Sequence, residues 1–334
     1  MLTEQSAKNP QNETIRKKNL IEALKLKKIT TIVIEPASKC NLRCTFCDAH
    51  SGRAEEFRKH AGLMTMQTFN LIVDKIEEYV KEYGQKVQMI QFHGNGEPLL
   101  HKNLSEMVSI IKNREITNSI RIISNGVLLK KDKVKDLVDA GIDEIHLSLD
   151  TIDKESYIRT KKRDQIDMVL KNVEDIIEIF ESIKKPEFYI KYFRPADHKD
   201  YMVKGDDAYE VIKKYRKYAE HSKYIHLKEQ ILVDTGLGML KGNKVEKPCE
   251  VPFFLIYILH TGKISACCSD VYKQLTIGEI KEQNLKEIMN GKALREIRLS
   301  HLDSNFENFK LCQGCGNRTA VDLSDIEKEI RDLI

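Results

Sequence analysis

From Thr30 onward two hydrophobic periods alternate along the chain. Short β-branched runs at 31–34, 87–92, 120–123, 144–149, 188–193 and 224–227 have the length and side-chain shape that suit a pleated sheet. Between them, apolar residues recur at helical spacing, as in Phe69, Ile72, Val73, Ile76 and Val80, or Met168, Val169, Val173, Ile176, Ile177 and Phe180. Strand followed by helix, repeated six times, predicts parallel strands joined by right-handed crossovers. The usual barrel closes with eight such units, so the pattern predicts an α/β fold with an open, partial (β/α)6 TIM barrel over residues 30–235.

Flanking this core the pattern changes. Residues 1–29 are rich in Lys, Asn, Gln and Glu and read as an arm with one helix over 19–27. Beyond the polar stretch 236–247 come Cys249, an apolar hairpin over 253–259 turning at His260-Thr261-Gly262-Lys263 into 264–268, helical segments over 284–289 and 294–298, and Cys312 and Cys315. This predicts a smaller C-terminal α+β domain over 245–318. A last helix in 319–334 opens on Ser324-Asp325-Ile326-Glu327, which reads as a capping box, and places Leu323, Ile326, Ile330 and Leu333 on one packing face.

Charge narrows the function. Lys plus Arg number 55 against 51 Asp plus Glu, a net +4, and the charges are interspersed, so no nucleic-acid partner is expected. Residues 1–21 hold no apolar segment of signal-peptide or membrane-anchor type, and a cytoplasmic protein without membrane association is expected. The eight cysteines fall into two tight groups, which in that compartment reads as metal ligation rather than disulfides.

The first group is the C-x3-C-x2-C run Cys40, Cys44 and Cys47 on the loop after the first strand. Three thiolates can hold a cubane iron-sulfur cluster and leave one iron open for chemistry, whereas electron-transfer ferredoxins use four and structural zinc closes a tetrahedron. Ligands of such sheets sit at the carboxyl ends of the strands. The second strand ends in His93-Gly94-Asn95-Gly96-Glu97-Pro98, the third in Ser124-Asn125-Gly126 and the fourth in Ser148-Leu149-Asp150.

Taken together, the cysteine run and these strand ends resemble the radical S-adenosylmethionine (SAM) superfamily over residues 31–230. The resemblance implies a SAM-binding 4Fe-4S cluster on Cys40, Cys44 and Cys47. It further implies SAM contacts from Phe46, Gly94, Gly96, Glu97, Ser124, Asn125 and Ser148, and an electron donor of flavodoxin or ferredoxin type. Asn95 departs from the family's Gly-Gly-Glu-Pro turn. The second cysteine group, with Gly262-x4-Cys267, Ile277-Gly278-Glu279-Ile280 and the closing Cys312-x2-Cys315, resembles the shortened SPASM extension called a twitch domain. That resemblance implies an auxiliary 4Fe-4S cluster on Cys249, Cys267, Cys312 and Cys315; a structural zinc on the same four is the alternative. Cys268 is left over, as a small apolar residue, a substitute ligand for Cys267 or a hydrogen donor to a substrate radical.

What the resemblance implies for the reaction is reductive cleavage of SAM to a 5'-deoxyadenosyl radical, which takes hydrogen from a polar small molecule. The spacing of the C-terminal cysteines resembles that of a twitch-type dehydrogenase, so alcohol-to-ketone oxidation of a sugar or cyclitol is expected, with the auxiliary cluster as electron acceptor. The alternative is a peptide maturase forming thioether or carbon-carbon crosslinks or epimerising residues; a non-catalytic iron-sulfur or zinc protein leaves the strand ends unexplained. Alternation places His146, Ser148 and Asp150 on one face of the fourth strand and Tyr189, Lys191 and Phe193 on one face of the fifth. His146 and Lys191 are the candidate proton acceptors, Lys191 or Arg194 a candidate anion holder. The bland alternatives are a hydrogen-bonded core histidine and solvated strand-end charges.

Overall fold

All six β-branched runs form strands, β1 Thr31–Ile34, β2 Val87–Phe92, β3 Thr117–Ser124, β4 Glu144–Ser148, β5 Glu187–Arg194 and β6 Ile225–Ile231, and three more follow, β7 Leu255–Ile258, β8 Lys263–Ser265 and β9 Thr276–Glu279. The structure is a computed structural model that describes residues 10–51, 55–182, 185–194, 205–231, 248–313, 315 and 323–334. The linker 236–247 and the side chains of Phe193 and Arg194 lie outside what is described. Helices follow each of the first five strands, and the fold is α/β with a parallel sheet. No helix among the described residues is long and apolar enough to cross a membrane.

The chain divides into two compact units made of interleaved segments. One comprises Glu35–Leu63 and Gln91–Leu232. In it β3, β4, β5 and β6 pair in parallel, with Ile122 opposite Ile145, Ile145 opposite Phe188 and Phe188 opposite Ile225. These side chains are fully buried, as are Val169, Val173, Ile176 and Phe180 of helix Ile166–Ser182. The Phe180 and Phe188 rings meet at 5.3 Å, so the apolar side of these strands is the side under the helix. Because side chains alternate, Arg121, Glu144, His146, Ser148, Tyr189, Lys191, His226 and Lys228 share the opposite side, a polar lining where a filled barrel would carry branched apolar residues.

The other unit comprises Met1–Ile34, Met64–Ile90 and Val233–Ile334. All four side chains of β1 are buried, and β1 pairs in parallel with β7, Thr31 opposite Leu255 through Ile34 opposite Ile258. β7 continues antiparallel into β8, and β8 into β9. Helix Met66–Tyr83 is capped by Thr65, whose hydroxyl accepts the Thr68 N–H, and closes at Gly84 in the left-handed region.

Three local expectations change. The arm carries a helix from Pro10 to Lys25, longer than the 19–27 stretch. Phe253 and Phe254 belong to a short helix, Val251–Phe254, before the hairpin. The capping box at Ser324 does not form, since the last helix begins at Glu327 with Ile326 as an N-cap that makes no side-chain bond; a reciprocal box forms instead between Asn284 and Glu287. The apolar face of the last helix does pack, with Leu323 and Ile330 buried against Leu20, Ile21, Leu24 and Phe253. Ile330→Ala is expected to cost roughly 2–5 kcal/mol, as for other buried aliphatic truncations, measured by denaturant unfolding.

Candidate active site and auxiliary cluster site

The cysteine loop is held by the end of a helix. Thr45 N–H donates to the carbonyl of Thr160 (2.8 Å) and Arg43 N–H to that of Lys161 (3.1 Å). These carbonyls close helix Lys154–Lys161 and have no helical partner of their own. Arg43 also donates from Nη1 to the carbonyls of Cys40 (2.9 Å) and Leu42 (2.8 Å), and Leu42 is buried. Burial pushes the Cys40 thiol up to about 12 and the Cys47 thiol to about 11. It raises Cys44 as well, against the pull of the Lys161 ammonium.

The turn after β2 rests directly on this loop. A Cβ on Gly96 would stand 2.2 Å from the Lys39 carbonyl oxygen and 2.4 Å from that of Ala37, so only glycine allows the two backbones to touch. Asn95 N–H donates to Glu35 Oε1 (3.0 Å), while Gly94 lies on its other flank. Glu97 is buried and ties two strand ends, those of β2 and β3, together. Its Oε1 accepts from the Ser124 hydroxyl (2.9 Å) and Leu99 N–H (3.2 Å), and its Oε2 from Asn125 N–H (2.8 Å). Burial outweighs these bonds and lifts its pKa to about 7. Asn125 Nδ2 donates in turn to Asn41 Oδ1 (2.8 Å) on the cysteine loop.

Glu97, Ser124 and Asn125 are thus engaged with protein groups, while the Ser148 hydroxyl makes no hydrogen bond among the described residues. Phe46 lies under the Lys161 ammonium, its ring centroid 4.9 Å from Nζ. Asp150 leaves the alternation of β4. At φ 61° it is left-handed, and its carboxylate turns to an ion pair with Lys161.

Along the polar side, Arg121 Nη2 pairs with Glu144 Oε2 at 2.6 Å, and His146 Nε2 reaches the same oxygen at 2.9 Å. Burial above all lowers the His146 pKa to about 3 despite the carboxylate, so the imidazole is neutral. It packs on Tyr189, which stacks on His226. Lys191 is opposite Ser148 and buried, and its ammonium makes no ion pair or hydrogen bond among the described residues. Burial, then the Lys228 ammonium, brings its pKa down to about 8. His93 is held neutral the same way, burial first and then the charge of Lys191, its pKa about 3. Arg121, Lys228 and His93 were missed as site residues. Arg121 inside Ile120-Arg121-Ile122 was the available signal; Lys161 offered none, because its partner is fixed only by the tertiary fold.

The residues fit a three-cysteine cluster and SAM. Three thiols share one loop, and the buried Asn41 Nδ2, Thr45 Oγ1, Asp150 Oδ1 and Tyr157 hydroxyl lack hydrogen-bond partners among the described residues, which buried polar atoms seldom do without a ligand to meet. The second set gathers in the other unit. Cys249 is pushed up by burial and then by the charges of Cys267, Cys315 and Cys312. Cys249 N–H donates to His301 Nδ1 (3.1 Å), and Cys267 N–H to the Ser265 hydroxyl (3.3 Å). That hydroxyl donates to Asp270 Oδ2 (2.8 Å). Cys268 packs half-buried on the cluster of Val33, Leu255, Tyr257 and Leu259, in contact with the Cys267 thiol.

The sequence matches the family model of the Radical SAM superfamily over residues 34–188 and that of the SPASM iron-sulfur cluster-binding domain over 249–316. A probable GTP 3',8-cyclase of Methanococcus maripaludis is 39% identical over 141 residues, 42% of this chain and 43% of that protein. The GTP 3',8-cyclase of Chlorobaculum tepidum is 35% identical over 144 residues, 43% of this chain and 40% of that protein. The match spans less than half the length of these curated relatives. The crystal structure of BtrN in complex with AdoMet and 2-DOIA shares the fold, with a TM-score of 0.58 over 88% of this chain and 94% of that one, at 19% identity. The relatives' names overturn the expected oxidation of a sugar or cyclitol alcohol and its alternative, a peptide maturase. The expectation rested on the spacing of the C-terminal cysteines, residues whose chemistry is metal ligation.

Proposed function

This chain belongs to the radical SAM superfamily and carries a SPASM iron-sulfur cluster-binding domain, and from that premise we propose that it is an enzyme acting on an anionic small molecule of the nucleotide class. When bound, SAM and the reduced cluster supply a 5'-deoxyadenosyl radical that takes a hydrogen atom from the substrate. Lys191 carries the reading. A buried ammonium that no carboxylate contacts directly is costly, and it stands on the polar side beside Ser148 with Arg121 and Lys228 in the same lining. An anionic group supplies the missing partner through charge-assisted hydrogen bonds. The relatives named GTP 3',8-cyclase make a purine nucleotide the first substrate to try.

The chain's own groups divide the work. Glu97 and Gly96 fix the cysteine loop against the strand ends, the open Ser148 hydroxyl meets SAM, and Lys191 orients the substrate. His146, neutral and bonded to Glu144, positions the Arg121–Glu144 pair. Lys191 is cationic below its pKa of about 8, so affinity for an anionic substrate is full at lower pH and declines as pH rises through about 8. Lys191→Met is expected to weaken that affinity roughly tenfold to a hundredfold, the scale of a lost charged hydrogen bond, and to flatten the pH profile. Anaerobically reconstituted protein, reduced with dithionite in the presence of SAM, should release more 5'-deoxyadenosine with GTP than with buffer or a neutral sugar. Stimulation by the neutral sugar and by no nucleotide would sink the proposal.

A further inference from the structure

Behind the cysteine loop lies a buried charge pair whose carboxylate also acts on the Lys191 ammonium of the polar lining. Asp150 and Lys161 are 1% and 3% exposed and form an ion pair through Oδ2 and Nζ. Two backbone bonds fix where this pair stands. The carbonyls of Thr160 and Lys161 accept from Thr45 and Arg43, the two neighbours of Cys44, so the ammonium is held in register with that cysteine. Its Nζ also lies 4.9 Å from the centroid of Phe46, between Cys44 and Cys47 in sequence. The left-handed backbone of Asp150 is what turns the carboxylate off its strand and onto Lys161.

A charge in such a place acts strongly, because little water screens it. Reduction of a cluster on Cys40, Cys44 and Cys47 adds one electron and leaves it more negative. We propose that the Lys161–Asp150 pair sets the reduction potential of that cluster, the Lys161 ammonium raising it and the Asp150 carboxylate lowering it. No bond is made or broken; the electron comes from a low-potential donor, dithionite in the assay below, and the pair acts through its field alone. Both are positioning residues.

The test is a potentiometric titration of the full-length reconstituted protein followed by electron paramagnetic resonance, the relevant cluster being identified by the change in its signal when SAM is added. At the wild-type midpoint, Lys161→Met should shift the reduced-to-oxidised ratio about tenfold toward oxidised, about 59 mV downward for a one-electron couple. Asp150→Asn should shift it the opposite way. The double variant should return close to wild type, and Lys161→Arg should stay there. Equal signs for the two single variants, or unmoved potentials with iron content intact, overturn the proposal. So does loss of SAM affinity in Lys161→Met with its potential unchanged, which makes Lys161 a SAM ligand instead. If Lys161→Met fails to hold iron, Asp150→Asn still decides by the sign of its shift.

Discussion

Replacing Cys40, Cys44 and Cys47 together by alanine is expected to abolish release of 5'-deoxyadenosine while leaving about four irons and matching sulfide per chain, the content of one 4Fe-4S cluster. The two cysteine sets belong to different compact units. Cys40, Cys44 and Cys47 lie on a loop held by helix Lys154–Lys161, whereas Cys249, Cys267 and Cys312 rest on bonds to His301, Ser265 and Phe309 in the other unit, and Cys315 on the Cys312 carbonyl. Loss of one set therefore leaves the supports of the other in place. Iron and sulfide analysis with chromatography of the nucleoside products checks both halves. Continued SAM cleavage removes the first set from the catalytic role, and stoichiometric zinc in the variant shows the second to be a structural clip.

The second large effect belongs to a residue with no side chain. Gly96→Ala puts a methyl group within 2.2–2.7 Å of the backbone of Ala37, Ser38 and Lys39, and none of these atoms is the far end of a flexible side chain. The turn after β2 must back away, and the Glu97 N–H bond to the Lys39 carbonyl (2.9 Å) is stretched with it. Overpacking of this kind costs about 1–3 kcal/mol, and the displaced atoms immediately precede Cys40. The expected result is poor iron incorporation at the SAM site and little or no SAM cleavage. Gly84→Ala is the control. Gly84 has φ 64° with nothing within 4 Å of an added Cβ, so that variant suffers local strain alone, about 1–2 kcal/mol, and keeps its cluster. Equal iron and activity in the two variants would show that the contact at Gly96 does not matter.

How much of this was legible depends on the range of the force involved. Alternation and β-branching are local, and β1 and β2 begin and end where the runs 31–34 and 87–92 do. The side-chain period of two is equally local, which is why His146 and Ser148 could be placed on one side before any register was known, although Asp150, placed with them, leaves the alternation. What those side chains meet is not local. The sharing of Glu144 between Arg121 and His146 depends on β3 and β4 pairing with Arg121 opposite Glu144. The turn of Asp150 toward Lys161 depends on one left-handed residue. Ser324 reads as an N-cap, yet the apolar contacts of Leu323 and Ile330 set where that helix starts. The substrate was least legible, because the charges proposed to select it lie on three strands that only the sheet brings together.

The pairing of β1 with β7 has a consequence during synthesis. Thr31–Ile34 has the β7 side of its backbone satisfied by Leu255–Ile258, and at translation rates of 5–20 residues per second roughly 10–40 s separate the two segments as they leave the ribosome. For that interval Thr-Ile-Val-Ile is a newborn strand with one bare edge, the kind of segment that recruits another nascent chain. Glu35 and Pro36 directly after it, and Lys27 and Lys28 a few residues before it, are of the charged and β-breaking types that keep such an edge from spreading.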